Sequence, residues 1–183
     1  MTVEVRSDRR SGAALARRLA ELARAHLEAL GRPAAGLSVL LTGDRVVRSL
    51  NRRFRGVDRT TDVLSFPAEE PAGRGPELGD VALSLEVARR RARAEGRPLL
   101  AELDRYLVHG ILHLLGHDHE RPGEARAMAD LEEELLGFAG MLEESLPASA
   151  RSRSGRASGR ATRRRRGRAA LPGPRRAGAG RRP

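Results

Sequence analysis

The sequence contains no cysteine, no tryptophan and no lysine among its 183 residues. The absence of cysteine excludes disulfides, thiolate zinc sites, iron–sulfur clusters and thiol nucleophiles. No apolar run approaches the ~18 residues that a membrane-spanning helix requires, and the first residues have no apolar segment of the kind that directs export. We therefore expect a soluble, cytoplasmic protein that does not interact with a membrane.

The positive charge is concentrated at one end of the chain. All 35 basic residues are Arg, and 13 of them lie in residues 147–183, which contain no Asp or Glu. Residues 1–146 therefore hold 22 Arg against all 24 acidic residues, so that their net charge is −2 within an overall +11. The composition predicts a folded domain over residues 1–146 and a disordered Arg-rich tail over residues 147–183, because the tail has too few apolar side chains to form a core.

The densest basic run of the tail consists of Arg163, Arg164, Arg165 and Arg166. Such a run can bind phosphate groups without regard to base sequence and with salt-sensitive affinity. The tail contains no aromatic residue, so it cannot stack on nucleobases. Two interpretations stay open, namely an RNA-binding tether and an Arg-biased extension with no function.

Strand and helix patterns alternate along the first 146 residues. The predicted strands cover residues 2–6, 37–41, 63–66 and 78–83, and the predicted helices cover residues 11–30, 43–53, 84–95, 98–115 and 122–142. Thr42 and Ser84 are predicted to cap the helices that follow them, and residues 68–77 are predicted to form a loop. The fold class is therefore α/β (α+β), with a small mixed sheet packed against several helices.

Four of the five histidines lie within one short segment that ends the fourth predicted helix. His109 and His113 are four residues apart and therefore share one helix face. Gly116 can adopt the left-handed conformation that ends a helix, after which the chain can turn back and bring His119 to the same point. This spacing predicts one Zn²⁺ per chain, bound by three imidazoles at about 2.0–2.1 Å.

Three protein ligands leave a fourth coordination position open, which is typical of a catalytic zinc site. The alternative is a closed structural site with His117 as the fourth ligand, and it is disfavoured because residues 117 and 119 would both have to reach the ion around Asp118. Asp118 is better placed to orient a ligand histidine through an outer hydrogen bond.

The histidine spacing also matches the extended zinc-protease motif, with one difference. Gly110 occupies the position where that motif has its general-base glutamate. Without this carboxylate, peptide hydrolysis is disfavoured. A phosphodiester is a more suitable substrate, because a metal ion and a cation can suffice for its cleavage.

Two further blocks accompany the histidine segment. One runs from Leu50 to Pro67 and contains Asn51, Phe54, Arg55 and Asp62, and the other is Leu78-Gly79-Asp80-Val81 followed by Ser84 and Glu86. Together with residues 109–119, these blocks resemble the YbeY family of metal-dependent endoribonucleases. The resemblance covers residues 36–146 well and residues 1–35 only in general layout. Phe54 stands where the family usually has Tyr, and the Arg-rich tail has no counterpart in the family pattern.

The resemblance implies an α/β fold with a small sheet and a zinc ion held by His109, His113 and His119. It also implies cleavage of single-stranded RNA, with Arg55 as the essential cation facing the metal. The implied substrate is a ribosomal RNA precursor, the implied roles are maturation of the 16S ribosomal RNA 3′ end and ribosome quality control, and the implied partners are the ribosome or small-subunit components.

The chemistry of Arg55 agrees with this implication, because a planar guanidinium can bind two non-bridging phosphate oxygens at once. Arg45, Arg48 and Arg52 precede it at helical spacing and could guide RNA towards the metal, although a solvated helix face explains Arg45 and Arg48 equally well. Two other functions stay open. One is a non-cleaving, zinc-stabilised ribosome assembly or RNA-binding factor, and the other is a metallopeptidase that uses another base such as Glu102.

Overall fold

The computed structural model describes residues 2–68, 77–117 and 122–145, with side chains at all of these except residues 11, 122 and 138–145. The described residues form four strands and five α-helices. In chain order they are β1 (Val3–Ser7), a 3-10 turn (Arg10–Gly12), α1 (Ala13–Ala29), β2 (Gly36–Thr42), α2 (Asp44–Arg55), β3 (Val63–Pro67), β4 (Glu77–Ser84), α3 (Leu85–Ala94), α4 (Leu99–Leu114) and α5 (Pro122–Ser145).

The strands form one mixed sheet in the order β1-β2-β4-β3. β1, β2 and β4 run parallel, while β3 pairs with β4 in the antiparallel direction, with Ser65 opposite Val81. The predicted fold class, with a small mixed sheet and several helices, is confirmed. The position of β3 at an edge matters for the site, because the outer side of an edge strand leaves backbone groups available to side chains from other elements.

The helices cover both faces of the sheet. Alternate residues of a strand point to opposite faces, and Val81 and Leu83 of β4 pack in the main core, which also contains Leu19, Leu22, Leu27, Leu103, Leu107 and Ile111 of α1 and α4. Ala82 points the other way and packs with Val47 of α2 and Leu64 of β3. α2 and α4 therefore lie on opposite faces, and β3 lies between them at the edge.

Two details of the predicted helix ends are corrected by the structure. Thr42 does not cap α2, because its hydroxyl donates to Asp8 and Gly43 precedes the helix without a side-chain cap. The helix also extends to Arg55, beyond the predicted end at residue 53, so that Arg55 lies in its last turn. The predicted cap of α3 is confirmed, since Ser84 Oγ accepts from the Val87 N–H at 3.1 Å. Most of the predicted loop over residues 68–77 lies outside the described residues.

The fifth histidine of the chain is a structural residue of the core. His26 of α1 is fully buried, and its Nε2 lies 2.8 Å from Oδ1 of Asp104, a buried residue of α4. Buried polar groups are stable only when they are hydrogen-bonded. The pair therefore joins α1 to α4 through Nε2 of His26, while the buried Nδ1 of His26 has no hydrogen-bond partner in the described part of the chain.

On its other side α4 packs against α5, where Val108 and Leu112 contact Met128 and Leu135. This packing aligns the acidic helix α5 with the part of α4 that carries the histidines. Within the described part of the chain, no helix combines the length and apolar character needed to cross a membrane.

Candidate functional site

His109 and His113 converge on one point of the α4 surface. Their Nε2 atoms lie 3.0 Å apart, and the ring centroids lie 4.5 Å apart with the ring planes at 82°. Two nitrogens that share a tetrahedral zinc at about 2.0–2.1 Å stand roughly 3.3 Å apart. The two predicted ligands are therefore already arranged as a pair that could bind one metal ion.

The third predicted ligand, His119, and the predicted orienting residue, Asp118, lie outside the described residues. Among the residues that the structure does describe, no group of three His, Cys, Asp or Glu side chains forms a metal site. The turn that leads towards His119 is described. Gly116 has φ of +87°, its N–H donates to the His113 carbonyl at 3.0 Å, and the His117 N–H donates to the Leu112 carbonyl at 3.0 Å. The predicted left-handed helix end at Gly116 is confirmed.

A carboxylate from α5 contacts the first histidine of the pair. Glu132 Oε1 lies 2.7 Å from His109 Nδ1. When Nδ1–H donates to a carboxylate, Nε2 keeps its lone pair and the ring orientation is fixed. Glu132 therefore makes towards His109 the kind of contact that the sequence predicted between Asp118 and a ligand histidine, while Asp118 itself lies outside the described residues. The sequence contained a signal for the inward position of Glu132. It lies four residues after Met128 and three before Leu135, and therefore on the helix face that packs against α4.

Arg55, at the end of α2, contacts the edge strand β3 from the sheet face opposite to α4. Its Nη2 donates to the backbone carbonyl of Ser65 at 3.1 Å, and Ser65 Oγ donates to the carbonyl of Gly110 at 3.1 Å. Gly110 follows His109 directly in α4. The structure thus joins Arg55 to the histidine segment through one residue of the edge strand, although the two lie far apart in the sequence.

The end of α2 is fixed by local contacts that hold Arg55 in the last turn. Gly56 has φ of +70° and its N–H donates to the Arg52 carbonyl at 3.2 Å. The buried side chain of Asn51 donates to the Arg59 carbonyl at 2.8 Å and so anchors the loop that follows. Arg55 is exposed, and in the described part of the chain its guanidinium has no carboxylate partner.

The other predicted arginines differ in their surroundings. Arg48 is paired with Asp58 through two hydrogen bonds of 2.8 and 2.9 Å. These bonds lower the pKa of Asp58 below its usual value, and the nearby charge of Arg52 acts in the same direction. Arg45 and Arg52 are exposed. Arg48 is therefore largely neutralised, and the cluster Arg163–Arg166 lies outside the described residues.

The surroundings of Gly110 explain why this chain has no glutamate at the position of the zinc-protease general base. A Cβ at this position would meet Val81 Cγ1 at 3.0 Å, Ser65 Oγ at 3.1 Å and Val63 Cγ2 at 3.3 Å. The position thus faces the sheet, and a glutamate there would have to penetrate the core. Glu102 is also unsuited as a base, because it is buried and Arg97 donates to it at 2.7 and 3.0 Å.

Comparisons with known proteins identify a family and several relatives of this chain. A family model described as endoribonuclease YbeY matches residues 3–140. An endoribonuclease YbeY of Anaeromyxobacter sp. is 57% identical over 146 residues, which cover 80% of this chain and 76% of the relative. The endoribonuclease YbeY of Anaeromyxobacter dehalogenans is 55% identical over 161 residues, which cover 88% of this chain and 80% of the relative.

A solved structure is also similar in fold. The solution structure of a Thermotoga maritima protein is 26% identical, covers 81% of this chain and 95% of its own, and superposes with a TM-score of 0.59. The family match includes both the segment around Arg55 and the histidine segment. The resemblance noted in the sequence is thereby confirmed, and the chain belongs to the YbeY family of endoribonucleases.

Proposed function

We propose that this chain is a zinc-dependent endoribonuclease that hydrolyses phosphodiester bonds of single-stranded RNA. The observation that carries the proposal is the pairing of His109 and His113, with Nε2 atoms 3.0 Å apart, on a helix whose Gly110 is joined to Arg55 through Ser65 of β3. Family membership supports endoribonuclease activity on RNA. The same membership makes the chain a hydrolase acting on ester bonds.

The donor set suits zinc, since neutral imidazole nitrogens are among its preferred ligands. His109, His113 and His119 would hold one ion per chain. When bound, the ion supplies Lewis acidity and lowers the pKa of water towards ~7. Glu132 contributes by contacting Nδ1 of His109 at 2.7 Å, which restricts the ring to the orientation in which Nε2 is directed at the neighbouring Nε2.

Arg55 supplies the positive charge that phosphodiester cleavage requires. Negative charge grows on the non-bridging oxygens as the new bond to phosphorus forms, and a planar guanidinium can donate to two of these oxygens. The bond from Arg55 Nη2 to the Ser65 carbonyl restricts the side chain, while its other N–H groups can donate to the phosphate. Holding the cation in place before reaction reduces the reorganisation that the reaction would otherwise require.

The finer assignments are part of the same proposal. We assign the enzyme to maturation of ribosomal RNA precursors, including the 16S 3′ end, and to ribosome quality control in the cytoplasm, with the ribosome or its small-subunit components as partners. The sequence resemblance supports these roles. The Arg-rich tail would add affinity for RNA phosphates.

The test combines zinc analysis with cleavage of a fluorescent single-stranded RNA. His113→Ala should lose both bound zinc and cleavage, whereas Arg55→Ala should retain zinc and lose cleavage. His117→Ala is the matched control, because His117 is exposed beyond the end of α4 and should retain both properties. Normal cleavage by His113→Ala would refute the proposal. Loss of zinc from His117→Ala would instead favour the closed structural site.

A binding factor without nuclease activity predicts a different pattern. The wild type would bind single-stranded RNA and leave it intact, and Arg55→Ala would lose only a small part of the affinity. Turnover of casein without turnover of RNA would favour a peptidase, although the positions of Gly110 and Glu102 oppose that outcome.

A further inference from the structure

One aromatic ring of this domain is exposed beside the candidate site. Phe54 lies in the last turn of α2, directly before Arg55, and 56% of its surface is accessible to solvent. The whole chain has only three Phe and one Tyr. Burying such a ring would contribute about 1.5–3 kcal/mol to folding. Because the ring stays exposed, this free energy remains available for a contact with another molecule.

The exposed ring is held in a defined orientation. Phe66 of β3 contacts it edge-on, with ring centroids 5.1 Å apart and ring planes at 65°. The guanidinium carbon of Arg53 lies 5.2 Å from the centroid of Phe54. Aromatic rings and guanidinium planes are the two side-chain surfaces on which nucleobases stack in single-stranded RNA. Phe54 provides an aromatic ring and Arg53 provides a guanidinium plane next to it.

The positive charges around the ring of Phe54 are more suitable for binding the phosphates of a nucleic acid than for binding an apolar protein surface. The last turn of α2 contains Arg52, Arg53 and Arg55. A favourable interaction with the carboxyl end of the helix explains basic residues there, but it does not explain an exposed aromatic ring among them. Bases alternate with phosphates along a strand, so a ring flanked by cations can bind a base and its neighbouring phosphates together.

We propose that Phe54 is a stacking platform for an unpaired nucleobase next to the phosphodiester that Arg55 contacts, an inference that rests on the proposed function. A base inside a duplex is already stacked on both faces and cannot reach the ring. A base in a single strand can turn outward and stack on it. The platform would therefore select single-stranded RNA, independently of base identity because every base has a π-face.

The test uses Phe54→Trp as a reporter. The chain contains no other Trp, so the indole fluorescence reports on this position alone. A short single-stranded RNA, mixed by stopped flow and read before turnover, should quench the fluorescence, whereas the same strand annealed to its complement should not. Equal quenching by single-stranded and duplex RNA would contradict the platform.

Phe54→Leu measures the contribution of the ring to binding. Leucine keeps an apolar contact with Phe66 and so protects the fold, but it cannot stack. We expect its affinity for the single strand to fall roughly 5- to 100-fold, with a raised KM for cleavage and kcat little changed. Val57→Ala is the matched control, because Val57 is also exposed, at 38%, and has no ring. It should bind RNA as the wild type does.

The outcomes separate this inference from the proposed function. If the wild type cleaves RNA and Phe54→Leu binds and cleaves it normally, the platform is refuted while the nuclease stands, and the exposed ring would then be free to bind a protein partner. If single-stranded RNA quenches Phe54→Trp but the wild type cleaves nothing, the nuclease is refuted and the platform stands. Equal losses in Phe54→Leu and Val57→Ala would show a general apolar contact and overturn stacking.

Discussion

The contact between Glu132 and His109 provides the most direct test of how the candidate site is built. The carboxylate Oε1 lies 2.7 Å from Nδ1, and the two side chains are only 25% and 34% exposed. Loss of an outer partner of a metal-binding histidine costs about 10–100-fold in metal affinity, equivalent to about 1.4–2.8 kcal/mol. We expect this loss in Glu132→Ala. Glu132→Gln should lose less, because its amide keeps an acceptor oxygen.

The assay is a zinc competition titration against a chromogenic chelator at fixed pH, followed by RNA cleavage at saturating zinc. Saturating zinc should restore most of the cleavage in Glu132→Ala, since the ligands themselves are intact. The matched control is Glu133→Ala, which removes the same charge from the adjacent, exposed position of α5. Thermal unfolding of both variants shows whether the packing of α5 on α4 is preserved.

Two results would refute this reasoning. Zinc affinity of Glu132→Ala equal to that of the wild type would mean that the carboxylate does not orient the histidine. An equal loss in Glu133→Ala would mean that the effect comes from the net charge of α5. A loss confined to Glu132, graded from Ala to Gln, is the outcome that the structure predicts.

Two further predictions concern stability and the tail. Asp104→Ala should lower the urea midpoint of unfolding, because it removes the hydrogen-bond partner of fully buried His26. An unsatisfied buried polar group costs about 1–3 kcal/mol of stability. An unchanged midpoint would show that the pair contributes nothing to stability. Deletion of residues 147–183 should leave zinc content and thermal unfolding unchanged but weaken RNA binding at low salt and reduce its salt dependence. An unchanged salt slope would refute the tether.

Much of the fold follows from patterns within short segments. Every strand and helix predicted from hydrophobic periodicity is present, with ends shifted by a few residues. The pairing of His109 with His113 is also local, because helical geometry alone places residues four apart on one face. The left-handed helix end at Gly116 depends on glycine itself, since a residue without Cβ adopts positive φ at little cost.

The ends of α2 show where local reasoning stops. Thr42 has the chemistry of a helix cap, but its hydroxyl donates to Asp8, from the turn after β1, instead of capping the helix. The helix continues to Arg55, where Gly56 ends it. The Thr42 difference arises because a hydrogen-bonding partner from elsewhere in the chain competes with the local one. The later end of the helix is a local feature, because Gly56 adopts φ of +70° and its N–H donates to the Arg52 carbonyl.

The sequence by itself determined the paired histidines, the order of the elements and the family, because these depend on spacing along the chain. Only the tertiary structure placed Glu132 against His109, joined Arg55 to Gly110 through Ser65, and turned Gly110 towards the sheet. Each of these contacts joins residues that are distant in sequence. Such contacts depend on how helices and strands pack together. The hydrophobic periodicity of one helix or strand does not show which other helix or strand it will contact.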